Sequence, residues 1–262
     1  MNGNAGRTRD LRPLWIGLAG LILLAAALET FALFGIISDQ GAVGGDLGYY
    51  QDVAQRWVDS GVYYTDRQLA GPYQVQTQVD NLYPPHALYL FVPFLVLPTI
   101  LWWIVPLALV AYVVRWCRPA AWSLPLLALL VLFPKTPNLI VYGNSDMWVS
   151  AAIAAGVRWG WPAVFVTFKP SVAIFAAIGI RTRPWWIAAG LLGLLSLPFL
   201  ALWLDYPTVM INSSAGVWYS IGDLPYLLLP IAARLVSTRR GRTPALRWAT
   251  ALLARGQSLL RP

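Results

Sequence analysis

The sequence predicts an all-α protein, a polytopic bundle of transmembrane helices, and three observations point to it. Of 262 residues, 58% are hydrophobic and 11% charged, whereas roughly a quarter of the residues in soluble domains are charged. The run Leu14 to Ile37 carries one charge, Glu29, and exceeds the roughly 20 apolar residues that suffice to cross a bilayer core. The charges also segregate. Most of the 19 lysines and arginines, among them Arg115, Arg118, Arg158, Arg181, Arg183 and Arg234, lie between or after apolar runs, and most of the 11 acids fall in the complementary segments. That is the positive-inside asymmetry of a multi-pass membrane protein.

Each element follows from this pattern. Arg7, Arg9 and Arg12 hold the N-terminus in the cytoplasm, and the first span lacks the small-residue cleavage pattern of a signal peptide. Ser38 to His86 is an outer loop. In it Leu47, Tyr50, Ala54, Trp57, Val58 and Gly61 recur at helical spacing with Gln51, Asp52, Gln55, Arg56 and Asp59 opposite, predicting a helix in the interface plane. Leu69 to Leu82 is Gln-rich and predicts a mobile loop over a site. Ala87 to Leu97, bounded by Tyr83-Pro84-Pro85 and Pro98, is too short to span and predicts an embedded helix.

Thr99 to Val114 runs inward, Ala120 to Phe133 outward and Met147 to Val157 inward again. Trp161 to Ile180 has arginines before and after it, so an even number of crossings is required; two short helices meeting near Lys169-Pro170 satisfy this. Pro184 to Leu204 goes out and Ile221 to Ala233 returns. The sum is about six full spans plus partial elements. Residues 1–236 form one transmembrane domain, and 237–262, with Arg239, Arg240, Arg242, Arg247, Arg255 and Arg261 among leucines, a basic amphipathic cytoplasmic tail on the anionic leaflet.

The net charge of +8 resides in these flanks and leaves no aromatic-interleaved basic patch, which argues against nucleic acid as a partner. Cys117 is the single cysteine, so neither an intrachain disulfide nor a cysteine metal cluster can form. It reads as a packing residue.

Asp46, in Gly44-Gly45-Asp46-Leu47-Gly48-Tyr49-Tyr50, follows the first span at the head of the outer loop, where a carboxylate can serve as a general base at the membrane surface. Its plain alternative is a helix N-cap. Lys169 lies far from any basic flank, which inside a bilayer demands a counter-charge or a function, and Glu29 is an intramembrane acid that could supply the first. Asp146 suits either a supporting contact or a helix N-terminus, where a negative charge complements the dipole.

The order and spacing of Gly45-Asp46, the aromatic helix after it, Gly61-Val62-Tyr63-Tyr64, Tyr83-Pro84-Pro85, Gly143-Asn144-Ser145-Asp146 and Lys169-Pro170 resemble glycosyltransferase family 87. That family belongs to the C superfamily of integral-membrane glycosyltransferases and includes mannosyl- and arabinosyltransferases of actinobacterial envelopes. Asn144 stands at a turn where the family often has Gln. The resemblance implies a bacterial plasma-membrane enzyme with its site outside the cytoplasm. A polyprenyl-phosphate sugar is the donor, and the sugar passes with inversion to a glycan or glycolipid acceptor.

On this resemblance Asp46 is the base; Lys169, His86 and Lys135 are the groups for the donor phosphate; Tyr49, Tyr50, Tyr83, Asn144 and Asp146 meet substrate. Tyr63 and Tyr64 could also stack on sugar faces. No organic cofactor is expected. Some superfamily members hold a divalent metal on loop acids, but no spacing here gathers such oxygen ligands, so no metal site is expected. A small transporter or lipid flippase is the rival from another class, though no internal repeat is visible. A shortened, non-catalytic partner of another glycosyltransferase is the third alternative.

Overall fold

In the computed structural model, residues 10–76, 78–214 and 221–238 are described, and among them the chain is helical, with two isolated β-bridges, Tyr73 to Ser213 and Pro119 to Ser237, as the extended pairing. The basic tail expected over 237–262 lies outside the described residues beyond Thr238.

Helix α1 (Arg12–Asp39) buries only Ala19, Ala26 and Ile37 and packs on α6 (Leu124–Leu132) and α7 (Lys135–Val141). By length and composition it is the one described helix that could cross a membrane alone. Two bent pairs pass the same test when each is taken as one span, Ala121–Leu132 with Lys135–Val141 at 60°, and Arg183–Leu195 with Leu197–Asn212 at 43°. The second pair covers the span expected over Pro184 to Leu204 and is bent within it. Helix α9 (Arg183–Leu195) stops at Ser196, a short 3₁₀ turn Leu197–Phe199 carries Pro198, and α10 runs on over Leu200–Asn212. Pro198 lacks the N–H that would continue the ladder.

The centre is α8 (Asp146–Trp159), whose Met147, Val149, Ser150, Ala151, Ile153, Ala154, Ala155, Gly156 and Val157 are all buried. Its small residues allow close approach from α5 (Leu101–Cys117), α11 (Leu224–Leu235) and the segment Trp161–Phe168. A Cβ added at Gly156 would lie 2.7 Å from that of Ala163. Interior packing of this density admits no extra methyl without displacement. Cys117 is buried among Val113, Ala154 and Ala233, a packing residue as expected.

Trp161–Phe168 and Pro170–Gly179 are two 3₁₀ segments separated by Lys169 in an extended conformation. They pack against each other, and Gly179 sits directly against the carbonyl of Gly160. The segment is thus a hairpin that returns to its starting point, with Lys169 at its tip. This is the broken pair that the flanking arginines called for.

Helix α2 (Gly45–Ser60) realises the outer-loop helix. It buries Leu47, Tyr50, Val53 and Ala54, while Val58, expected on the apolar side, is exposed and Gly61 is the C-cap. After the short α3 (Asp66–Ala70), the Gln-rich segment is anchored. Gln68 is fully buried and donates to the carbonyl of Asn81 at 2.9 Å, Asn212 Nδ2 donates to the carbonyl of Gln68 at 3.0 Å, and Tyr73 pairs with Ser213. The loop expected over Leu69 to Leu82 is therefore tied down at both ends. Residues 85–95, with α4 (Leu88–Phe91) at their middle, form one short embedded helical run against α2.

Candidate active site

Asp46 is held by a crossing of two turns. Gly44, the N-cap of α2 at φ 71°, donates to the carbonyl of Val141 at 2.9 Å, and the Asp46 amide donates to that of Tyr142 at 2.9 Å. Positive φ at Gly44 and at Gly143 (71°) lets both turns fold this tightly. The indoles of Trp102 and Trp103 pin the second turn by donating to the carbonyls of Gly143 and Ile140, each at 2.7 Å.

The N-cap alternative for Asp46 is corrected, because Gly44 occupies that position and Asp46 lies within the first turn. Its carboxylate instead accepts from Asn144 Nδ2 at 2.7 Å on one oxygen and from Gln78 Nε2 at 3.0 Å on the other. Gln78 adopts φ 62°, sparsely populated for a side chain of its kind. Its amide lies so near Gly45 that a Cβ there would come within 2.8 Å of it. Strain of this sort marks functional positions more often than others. Asn144 works in both directions, since its Oδ1 accepts from the Asp146 amide at 2.9 Å. One side chain therefore ties Asp46 to the start of α8.

Lys169 is buried and pairs with Asp146, Nζ to Oδ2 2.8 Å. The counter-charge is Asp146, fully buried; Glu29 is exposed on α1, so the proposed pairing with Glu29 is corrected. A third charged group completes the arrangement. Asp223, in the turn Ile221–Asp223 before α11, lines the same cavity as Lys169.

Asp46, Lys169 and Asp223 line one cavity of about 680 Å³, together with Tyr49, Tyr50, Tyr83, Lys135 and Asn144. The polar segment 75–82 covers it through Val75, Gln76, Gln78, Asp80 and Leu82. Asp80 is in turn fixed by an ion pair with Arg67 and by the amide of Gln76 at 2.8 Å. A chain of hydroxyls forms the floor. Tyr83 bonds Tyr50 at 3.0 Å and Ser145 at 2.7 Å. Burial raises the Tyr50 phenol, which stays neutral and can act as donor or acceptor.

On the far side of Lys169 and Tyr83 lies a second pocket of about 330 Å³, walled by Leu90, Phe91, Trp148, Val149, Ala152 and Phe165. It is overwhelmingly apolar. The two spaces share Tyr83 and Lys169 in their walls.

His86 and the Tyr63-Tyr64 pair do not join this site. His86 is buried with Nε2 3.3 Å from Thr167 Oγ1 and its ring stacked on Trp203 at 5.3 Å, so its assignment to a donor phosphate is corrected. Tyr63 and Tyr64 are buried and donate to the carbonyls of Pro84 (3.2 Å) and Tyr83 (2.8 Å), which leaves no ring face for a sugar. They fix the Tyr-Pro-Pro turn instead. Asp146 stands behind Lys169 and positions it; its direct contact with substrate is replaced by that role.

Gln78 and Asp223 were missed as site residues. Asp223 was visible only as one more outer acid, and Gln78 as one of several glutamines. Among the described residues, no group of three His, Cys, Asp or Glu side chains is arranged to hold a metal ion. The chain matches no protein-family model, no curated protein and no solved structure.

Proposed function

We propose that the protein is a polytopic membrane glycosyltransferase. It moves a sugar from a polyprenyl-phosphate donor to a glycan or glycolipid acceptor on the extracytoplasmic side, with Asp46 as general base. The observation that carries this reading is the junction at Lys169. A polar cavity holding an oriented carboxylate meets an apolar pocket across a buried ammonium, as a ligand with a sugar, a phosphate and a hydrocarbon chain in that order requires.

The chemistry fits the groups in place. Asp46 accepts from Asn144 and Gln78, which fix the orientation of its carboxyl group in the cavity. It takes the proton of the acceptor hydroxyl as that oxygen attacks the anomeric carbon. Negative charge that develops on the departing phosphate meets Lys169, with Lys135 at the cavity rim. A cavity of this size lies within the range of sites for small ligands. The helices beyond α1 complete about six crossings in this reading, several of them short or bent. The arginine-flanked ends face the cytoplasm and the Asp46 cavity opens on the outer side.

The test is Asp46→Asn in membranes supplied with a polyprenyl-phosphate sugar. Transfer should fall by about 10²–10⁴-fold, the usual worth of a positioned base, with donor binding retained. Unchanged turnover would sink the assignment of the base.

A further inference from the structure

At the end of α8 away from Asp146, two guanidiniums close on one indole. Arg158, in the last turn of α8, has its Cζ 4.5 Å from the centroid of the Trp116 ring and 5.4 Å from that of Trp159. Arg234, in the last turn of α11, lies 6.0 Å from the same Trp116 ring. These are cation–π distances. The end of α11 is fixed on that of α5, since the Ala120 amide donates to the carbonyl of Val236 at 3.0 Å and the Thr238 amide to that of Arg118 at 3.1 Å.

Like charges gathered in this way repel unless an anion lies between them, and the elements that meet here bring none. Between Asp80 and Asp146, between Asp146 and Asp205, and after Asp223 the sequence holds no Asp or Glu. So α5, the Trp161–Gly179 hairpin and α11 carry no carboxylate. The one acid on α8, Asp146, lies about 18 Å along the axis from Arg158 and is committed to Lys169.

Arginines in last turns also complement helix dipoles, but two features go beyond that role. The Arg158 Nε is buried and has no hydrogen-bond partner among the described residues, which is costly unless a ligand supplies an acceptor. The contact with Trp116 also orients the guanidinium, so that its donors form a fixed fork of the kind that matches a phosphate. The rim identifies the source of that phosphate. Tyr112 and Trp159, 50% and 45% exposed, stack beside Arg158 with centroids 6.3 Å apart. Exposed Tyr and Trp collect at the headgroup level of a bilayer, where basic pockets between helices bind anionic headgroups.

We propose that Arg158 and Arg234, carried on Trp116, bind the phosphate of an anionic phospholipid, at a site separate from the Asp46 cavity. The site is independent of glycosyl transfer and rests only on the membrane embedding proposed above. The headgroup supplies the negative charge that α5, α8 and α11 lack at these ends and ties the three together.

The experiment uses the full chain in a neutral detergent, with bound lipid followed by native mass spectrometry. Dioleoyl phosphatidylglycerol should bind about tenfold more tightly than dioleoyl phosphatidylcholine, whose choline offsets the phosphate charge, and Arg158→Gln should remove that preference. A preference retained by Arg158→Gln overturns the proposal. Arg12→Gln takes the same charge from an exposed position on α1 and should leave the preference unchanged. Equal losses in the two variants would reveal a diffuse field and overturn the site.

Arg158→Lys guards against a fold that Gln does not support. It keeps the charge without the planar fork and should bind phosphatidylglycerol more weakly than the unmodified protein; full affinity overturns the stacked geometry. Millimolar inorganic phosphate should leave the lipid in place, and its displacement by phosphate would overturn the lipid as the source. Failure of both lipids to bind the unmodified protein overturns the membrane embedding beneath the proposal.

Discussion

Asn144 shows how much of the site a single side chain can organise. Its amide spans the gap between Asp46 and the first turn of α8, donating to one and accepting from the other. Any movement at the start of α8 is thereby felt at the Asp46 carboxyl. The same fixity makes Asp146 costly to remove, since its loss leaves the buried ammonium without its 2.8 Å partner. Asp146→Ala should destabilise the protein by about 3–5 kcal/mol, read from its unfolding midpoint in detergent; an unmoved midpoint would show that Lys169 is compensated otherwise. At this scale the sequence was partly legible. Asp46 and Lys169 stood out because a lone carboxylate and a lone ammonium beside apolar runs are expensive unless used. Gln78 and Asp223 could not stand out, because what distinguishes them is proximity to residues distant in the chain.

At the level of elements, the hairpin Trp161–Gly179 is the part most constrained by sterics. Gly160 and Gly179 meet where no side chain fits, and Trp185 also closes on Gly179. Gly179→Ala should therefore cost about 1–3 kcal/mol, as overpacking does, and should lower thermal stability while leaving α1 helical. A neutral substitution would mean that the two ends of the hairpin separate readily. The two short segments meeting at Lys169-Pro170 were legible in the sequence, because Pro170 cannot continue the helical ladder across the break. The bend at Ser196–Pro198 was less legible. Apolar composition runs through it unbroken, and only the proline hinted at a change of direction.

Considered whole, the molecule gathers Asp46, Lys169 and Asp223 around one cavity and packs its core on the small residues of α8. The all-helical class was legible from composition and periodicity. The spacing of the walls was not, because it depends on how Gly156, Gly179 and the Trp102–Trp103 pair let distant segments approach.

Under the proposed function, the wall common to the two cavities has a consequence for ligand choice. Because Tyr83 and Lys169 border both the polar space and the greasy one, the junction works as a ruler. It fixes how many bonds can separate an anionic centre from the first methylene of a chain. A lipid that carries its charge directly on the chain end sits in register, whereas one with a hydrophilic spacer must leave either its head or its tail misplaced. Discrimination of this kind is strict about where the head begins and tolerant of how long the tail runs.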